Sequence, residues 1–250
     1  MERNEKVTDL PYGWRGRLGL IYIASAYSME VEFNKMTPPG VTSHTTRIAL
    51  SDQPECFSIE DLSTLDEKVL YATKLLAQAP IDAIAFGCTS GSFVNGVGYD
   101  QQLIKRMGNI ANIPCTTTIS AVIEAMEVLH IKNVAIATPY TNVVNKLADQ
   151  FFTDSGLHIT NMTGLGLNDD YAISALDART IYDMAVKADT EDADALFLSC
   201  TGLSAVHLIE SLEEDLQKPV ITSNQATFWH TLRISNIASQ IKGFGQLFSC

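Results

Sequence analysis

Cationic side chains are scarce in this chain: 17 lysines and arginines stand against 29 aspartates and glutamates, a formal net charge of −12. That balance argues against a nucleic-acid partner, because binding to a phosphate backbone is driven by clustered Lys and Arg releasing counterions. Long apolar runs are missing as well. The stretch Leu18 to Ala26 is too short to span a bilayer, and the polar opening Met1-Glu-Arg-Asn-Glu-Lys6 has no signal-peptide character. No membrane association is expected, and the cytoplasm is the expected location. The five cysteines (Cys56, Cys88, Cys115, Cys200, Cys250) form no CxxC pair, which points to reduced thiols rather than a disulfide framework. His44, His130, His158, His207 and His230 are scattered, with no HExxH and no other metal-ligand spacing. Neither a P-loop, a GxGxxG turn nor a GxSxG elbow occurs. No metal and no cofactor are expected, and cysteine chemistry is what remains.

What is present is a duplication. Asp82-Ala-Ile-Ala-Phe-Gly-Cys88-Thr-Ser90 and Asp194-Ala-Leu-Phe-Leu-Ser-Cys200-Thr-Gly202 are near copies, each a hydrophobic run ending on a cysteine. Two sulfurs facing one another could act on the two faces of a single substrate carbon. The repeat extends further: Gly16-Arg-Leu-Gly-Leu-Ile-Tyr-Ile-Ala24 matches Lys132-Asn-Val-Ala-Ile-Ala-Thr-Pro-Tyr140, and Pro114-Cys-Thr-Thr-Thr118 matches Pro219-Val-Ile-Thr-Ser223. Short β-rich runs at Leu18 to Ile23, Ala83 to Phe86, Cys115 to Thr117, Val134 to Ala137, Ala195 to Leu198 and Val220 to Thr222 alternate with helical patterns. The helices are expected over Leu62 to Ala79, Ala121 to Leu129, Thr141 to Ser155, Thr180 to Ala188 and Ser204 to Leu216.

That alternation predicts an α/β fold of two pseudo-symmetric lobes, each a parallel sheet flanked by helices. The N-terminal lobe is expected over residues 16–122 plus 228–250 and the C-terminal lobe over 123–227. Ligands of such folds bind outside the carboxyl ends of the strands, so Cys88 and Cys200 should face a cleft between the lobes. Tyr27 to Asp52, with Pro38-Pro-Gly40 and no clean periodicity, reads as a long loop of the kind that serves as a lid or a binding loop.

Thr89-Ser-Gly-Ser92 follows one cysteine and Thr201-Gly-Leu-Ser204 the other. Small hydroxylic residues at a strand-to-helix turn leave N–H groups free for an anion, typically a carboxylate, and the same field should lower the thiol pKa. A lone cysteine is more often a small buried apolar residue, which is the reading given to Cys56, Cys115 and Cys250. Tyr140 could donate a hydrogen bond to a substrate carboxylate or simply pack. Asn168, in Gly164-Leu-Gly-Leu-Asn-Asp-Asp170, fits an ordinary turn, and His44 and Arg47 could bind an anion or face solvent.

Gly87-Cys-Thr-Ser-Gly-Ser-Phe93, Pro114-Cys-Thr-Thr117, Val134-Ala-Ile-Ala-Thr-Pro-Tyr140, Leu198-Ser-Cys-Thr-Gly-Leu203 and Phe228-Trp229 resemble, in this order, blocks of the Asp/Glu racemase superfamily. Within it the chain looks like the branch of maleate cis-trans isomerases, arylmalonate decarboxylases and ectoine-utilisation proteins, from about Leu18 to Phe248. The resemblance implies two flavodoxin-like lobes, chemistry without a cofactor, a small carboxylate substrate and a homodimer. Decarboxylases of this branch have glycine at the position of Cys88, so the two thiols resemble the isomerase and racemase pattern. Implied roles are catalytic for Cys88 and Cys200, and carboxylate binding for Thr89, Ser90, Tyr140, Asn168, Thr201 and Gly202. Maleate-to-fumarate isomerisation is the leading activity, with racemisation of an amino or hydroxy acid and arylmalonate-type decarboxylation as alternatives. One departure stands out: Ile23-Ala-Ser-Ala-Tyr-Ser28 places Ala26 where the isomerases carry a carboxylate-binding asparagine.

Overall fold

The structure, a computed structural model, describes residues 11–51, 56–238 and 240–250. The expectation about Met1 to Lys6 and the end of the Tyr27 to Asp52 segment lie outside the described residues. Strands β1 (Gly16–Ile23), β2 (Val41–Ile48), β3 (Ala83–Gly87) and β4 (Cys115–Thr117) form one parallel sheet in the order β2-β1-β3-β4. Strands β5 (Asn133–Tyr140), β6 (His158–Leu167), β7 (Ala195–Leu198) and β8 (Val220–Thr222) form a second, in the order β6-β5-β7-β8. The two orders are the same, the flavodoxin-like arrangement repeated twice. Helices α1 (Ser28–Met36), α2 (Ile59–Ser63), α3 (Asp66–Leu76), α4 (Thr89–Phe93), α5 (Tyr99–Ala111) and α6 (Thr118–Val128) accompany the first sheet in sequence. Helices α7 (Asn142–Asp154), α8 (Asp170–Ser174), α9 (Ala178–Ala188), α10 (Ile209–Leu216) and α11 (Ser223–Ile234) accompany the second. None of the described helices is long and apolar enough to cross a membrane.

The alternation of β1 explains how the halves join. Leu18, Leu20 and Tyr22 point to one face and enter a core shared with Ala135, Ala137, Phe197 and Leu198 of the second sheet. Ile21 and Ile23 point the other way, into a separate cluster with Leu65, Val69 and Leu76 and with Leu103 and Met107 of α5. Helix α11 follows the second sheet in sequence but packs on α6, α1 and the strands β3 and β4 of the first. It is buried on nearly every side, from Ser223 to Leu232. We keep the division of the lobes at 122/123 and 227/228 as a proposal.

Two sequence expectations are corrected. Tyr27 to Asp52 is not a structureless lid: it contains α1 and β2. Strand β2 is an edge strand paired only with β1, and its residues Ser43 to Arg47 are half-buried or exposed, so no apolar run marks it. Strand β6 is invisible in the sequence for the same reason. The single helix expected over Leu62 to Ala79 is two, broken between Ser63 and Asp66. Helix α2 begins with a reciprocal capping box between Ser58 and Asp61.

Candidate active site

Strand β3 ends one residue before Cys88 and β7 two residues before Cys200, so both thiols stand at carboxyl ends of parallel strands, one per sheet. Cys88 caps α4: its backbone is extended and its Sγ accepts the Gly91 N–H at 3.4 Å. Cys200 Sγ accepts the Gly202 N–H at 3.3 Å. Gly202 has no room for a side chain, since a Cβ there would lie 2.9 Å from Ile173 of α8. Cys200 also has φ of +149°, a conformation that costs an L-residue about 1–3 kcal/mol. Its own N–H is held by Ser223 Oγ at 3.1 Å.

The turn after Cys200 departs from the expected strand-to-helix geometry, and α10 begins only at Ile209. The carbonyls that would start a helix are bonded elsewhere. Thr201 O accepts from Tyr22 Oη at 3.0 Å and Asn224 Nδ2 at 3.2 Å, Gly202 O from Ser28 Oγ at 2.7 Å, and Leu203 O from Asn224 Nδ2 at 3.2 Å.

The expected low thiol pKa is likewise corrected. Cys88 is 5% exposed and Cys200 9%, and burial pushes both thiols up to about 12. The bonds from Gly91 and Gly202 act in the opposite direction but are outweighed, because removing water disfavours a thiolate more than one N–H favours it.

Around the thiols the structure gathers Thr89, Ser90, Tyr140, Thr201 and Gly202. Ser90 Oγ lies 4.0 Å from Cys88 Sγ. Thr201 Oγ1 reaches the carbonyl of Gly87 at 3.5 Å, linking one cysteine loop to the other. Tyr140 is 1% exposed; its hydroxyl faces Cys200 and Thr89 yet has no well-formed hydrogen-bond partner among the described residues. A buried phenol left in that state is poised to donate to a ligand. Ser223 is a residue that sequence reading missed. Its Oγ accepts from Thr89 Oγ1 at 2.9 Å as well as from Cys200 N–H, bridging the two cysteine loops. The matched segments after Pro114 and Pro219 were the available signal, since both open a helix against the site.

Asn168 stands apart. Its side chain is exposed, and its carbonyl accepts the Phe57 N–H at 3.1 Å. Asp170, two residues on, is the side chain that reaches the cleft. Its Oδ2 accepts from Ser25 Oγ at 2.6 Å, and its charge acts on both Cys88 and Cys200. Ser25 and Asp170 line a cavity of about 250 Å³ together with Ala24, Ala49, Leu50, Ser51, Cys56 and Phe57. Burial raises the Asp170 pKa above the ordinary carboxylate value.

Arg47 is not available there: its Nε donates to Glu30 at 3.1 Å and its Nη1 to the carbonyls of Ala24 at 3.0 Å and Ala26 at 3.2 Å. His44 pairs with Thr42 at 2.9 Å on the exposed side of β2. Among the described residues no cluster of three or more His, Cys, Asp or Glu could hold a metal.

The sequence profile of a family described as arylmalonate decarboxylase matches residues 19–248. Over 189 residues the chain is 31% identical to an arylmalonate decarboxylase of Bordetella bronchiseptica, covering 74% of this chain and 78% of that one. It is 25% identical over 246 residues to a maleate isomerase of Pseudomonas putida, covering 93% and 97%. Among solved structures, a liganded double mutant of arylmalonate decarboxylase superposes with a TM-score of 0.86 at 26% identity, over 93% of this chain and 98% of that one. A maleate isomerase variant of Pseudomonas putida S16, solved with maleate, shares the fold with a TM-score of 0.88 at 24% identity, over 94% and 97%.

Proposed function

Because the chain belongs to the arylmalonate decarboxylase family, we propose that it is an isomerase of a small carboxylic acid, working with two thiols and no cofactor. The observation that carries this reading is the pair Cys88 and Cys200, each at the end of the equivalent strand of a duplicated sheet, each with an N–H on its sulfur, and joined through Ser223. Thr89, Ser90, Tyr140, Thr201 and Gly202 would hold the reacting carboxylate through hydroxyl and amide donors, which stabilise negative charge without a cation. Asn168 would need to turn inward to share that role.

For a cis diacid, the Cys88 thiolate forms a C–S bond to one alkene carbon while the π pair moves onto the neighbouring carbon and its carboxylate. The remaining single bond rotates, and elimination of the thiolate restores the alkene in the trans form, with Cys200 giving and retaking a proton where the carbanion is quenched. Maleate to fumarate is the specific reaction, supported by the names of the relatives.

Racemisation beside a carboxylate is the second reading, favoured by the acidic Asp170 in the cavity wall. There one sulfur removes the proton and the other returns a proton to the opposite face. A proton NMR time course of maleate with the reduced protein in deuterated buffer tests the first reading. Fumarate should appear, and Cys88→Ala or Cys200→Ser should slow its appearance by about a thousandfold or more. Near wild-type turnover in either variant overturns the two-thiol mechanism, and an unchanged maleate signal moves the assignment to racemisation, read as deuterium entering recovered substrate.

A further inference from the structure

Tyr140 stands where its strand runs out of regular partners. The last pairing of β7 with β5 sets Leu198 opposite Ala137, so β5 continues through Thr138, Pro139 and Tyr140 without a pairing from β7. On its other side the ladder with β6 slips. Thr138 pairs with Gly164 and Tyr140 with Leu167, so Leu165 and Gly166 together oppose the single Pro139. Proline has no N–H to give to a ladder, and inside a sheet such a bulge accommodates it. Gly166 has φ of +78°, a left-handed conformation that glycine adopts without strain. Bulges bend a strand and re-aim the side chains beside them.

A clasp of side chains fixes where this bulge aims Tyr140. Thr138 is fully buried; its Oγ1 accepts the Tyr140 N–H at 3.2 Å and donates to Asn145 Oδ1 of α7 at 2.7 Å. The bond to Asn145 turns the hydroxyl hydrogen towards α7 and leaves a lone pair for the Tyr140 N–H. Gly164 closes the clasp, because a Cβ there would lie 2.3 Å from Asn145 Nδ2 and 2.8 Å from the Tyr140 carbonyl oxygen. The ring itself rests edge-on against Phe93 at 6.4 Å. At its tip is the buried hydroxyl that faces Cys200 and Thr89 without a well-formed partner among the described residues.

We propose that Thr138, oriented by Asn145, is a positioning residue of the site: it fixes the bulged end of β5 so that the Tyr140 hydroxyl is held on the substrate carboxylate beside Cys200. The proposal rests on the reading of Tyr140 as a carboxylate donor. Thr138 acts through the Tyr140 backbone, since both functions of its own hydroxyl are engaged. A donor already fixed in place needs no reorganisation when the carboxylate arrives, whereas one free to turn loses part of its contribution to ordering.

Succinate, a saturated diacid that the thiols cannot isomerise, reads the Tyr140 contact free of turnover. In calorimetric titration of the reduced protein, Tyr140→Phe should weaken succinate binding by about tenfold. Thr138→Val, which keeps the shape and removes the hydroxyl, should weaken it by about fivefold, and Thr138→Ser should restore most of that loss. Asn145→Ala should act in the same direction by less. In the Tyr140→Phe background, Thr138→Val should cost less than about twofold, because the donor it aims is already gone. If Thr138→Val does not fold, Asn145→Ala carries the same cycle, its loss disappearing in the Tyr140→Phe background. Full affinity in Thr138→Val, or an equal loss with and without the Tyr140 hydroxyl, overturns the proposal and assigns Thr138 to packing, with Tyr140 kept as a ligand residue. No succinate binding to the wild type, or wild-type affinity in Tyr140→Phe, overturns the carboxylate role of Tyr140 and the proposal with it.

Discussion

At the scale of single residues, the two catalytic candidates are held as thiols. Burial pushes Cys88 and Cys200 up to about 12, from an ordinary thiol value of 9.0. At neutral pH only a small fraction of either is thiolate, and while the pH stays below the pKa that fraction rises about tenfold for each unit by which the pH increases. A reaction begun by thiolate should therefore accelerate with pH: kcat/KM is expected to climb by about one order of magnitude per unit between pH 7 and 9. A plateau reached below pH 8 in the pH–rate profile would contradict the buried-thiol state. The positive φ of Cys200 belongs to the same scale. A non-glycine residue keeps such a conformation only where its surroundings enforce it, here Ser223 Oγ accepting its N–H and the Gly202 N–H donating to its sulfur.

Among the elements, α1 and α11 are locked together by a buried carboxylate. Glu32 of α1 is 2% exposed; it accepts from Asn224 Nδ2 of α11 at 2.6 Å and from the Val206 N–H at 3.0 Å. Asn224 in turn holds the Thr201 and Leu203 carbonyls, so this network shapes the turn that presents Cys200. Burial raises the Glu32 pKa from 4.5 to about 7 although Asn224 and the backbone donors pull it down. A carboxyl whose folded pKa lies above its unfolded one binds more protons when folded. Its contribution to stability is then greatest below about pH 4.5 and is lost as the pH rises, levelling off above about 7. The loss is on the order of 3 kcal/mol. Glu32→Gln removes the titration, so its Tm should gain several degrees relative to the wild type between pH 5 and pH 8. A difference in Tm that stays constant across that range would show that Glu32 does not titrate in it.

Over the whole molecule, the site exists only because two sheets share one core. Phe93, at the end of the helix that Cys88 caps, meets Tyr140 edge-on at 6.4 Å and Phe151 at 6.2 Å, both from the other half. Hydrogen bonds from Thr89 to Ser223, from Thr201 to Gly87 and from Ser25 to Asp170 cross in the same way. Ser223 is a positioning residue in this account, acting through the Cys200 backbone and Thr89. Ser223→Ala should lower kcat by about tenfold to a hundredfold with a smaller change in KM, while Ser223→Thr, which keeps a hydroxyl, should restore part of the loss. A proportional fall in both variants accompanied by lost thermal stability would assign Ser223 to packing alone.

The sequence by itself determined the architecture. The inner strands β1, β3, β5 and β7 carry near-continuous apolar runs because helices or the other sheet cover both of their faces, the matched segments after Pro114 and Pro219 mark the short β4 and β8, and the duplicated cysteine segments mark the equivalent strand ends. It could not show β2 and β6, whose residues are mostly half-buried or exposed, unlike those of the other edge strands β4 and β8, and so carry no apolar pattern. Nor could it give the state of the thiols, since local spacing speaks for the N–H groups of the turn while desolvation depends on every chain segment packed above them. The partners of Asp170 were equally out of reach. Ser25 lies 145 residues away in the chain, and only the closing of one half upon the other brings its hydroxyl to that carboxylate and leaves Asn168 facing water.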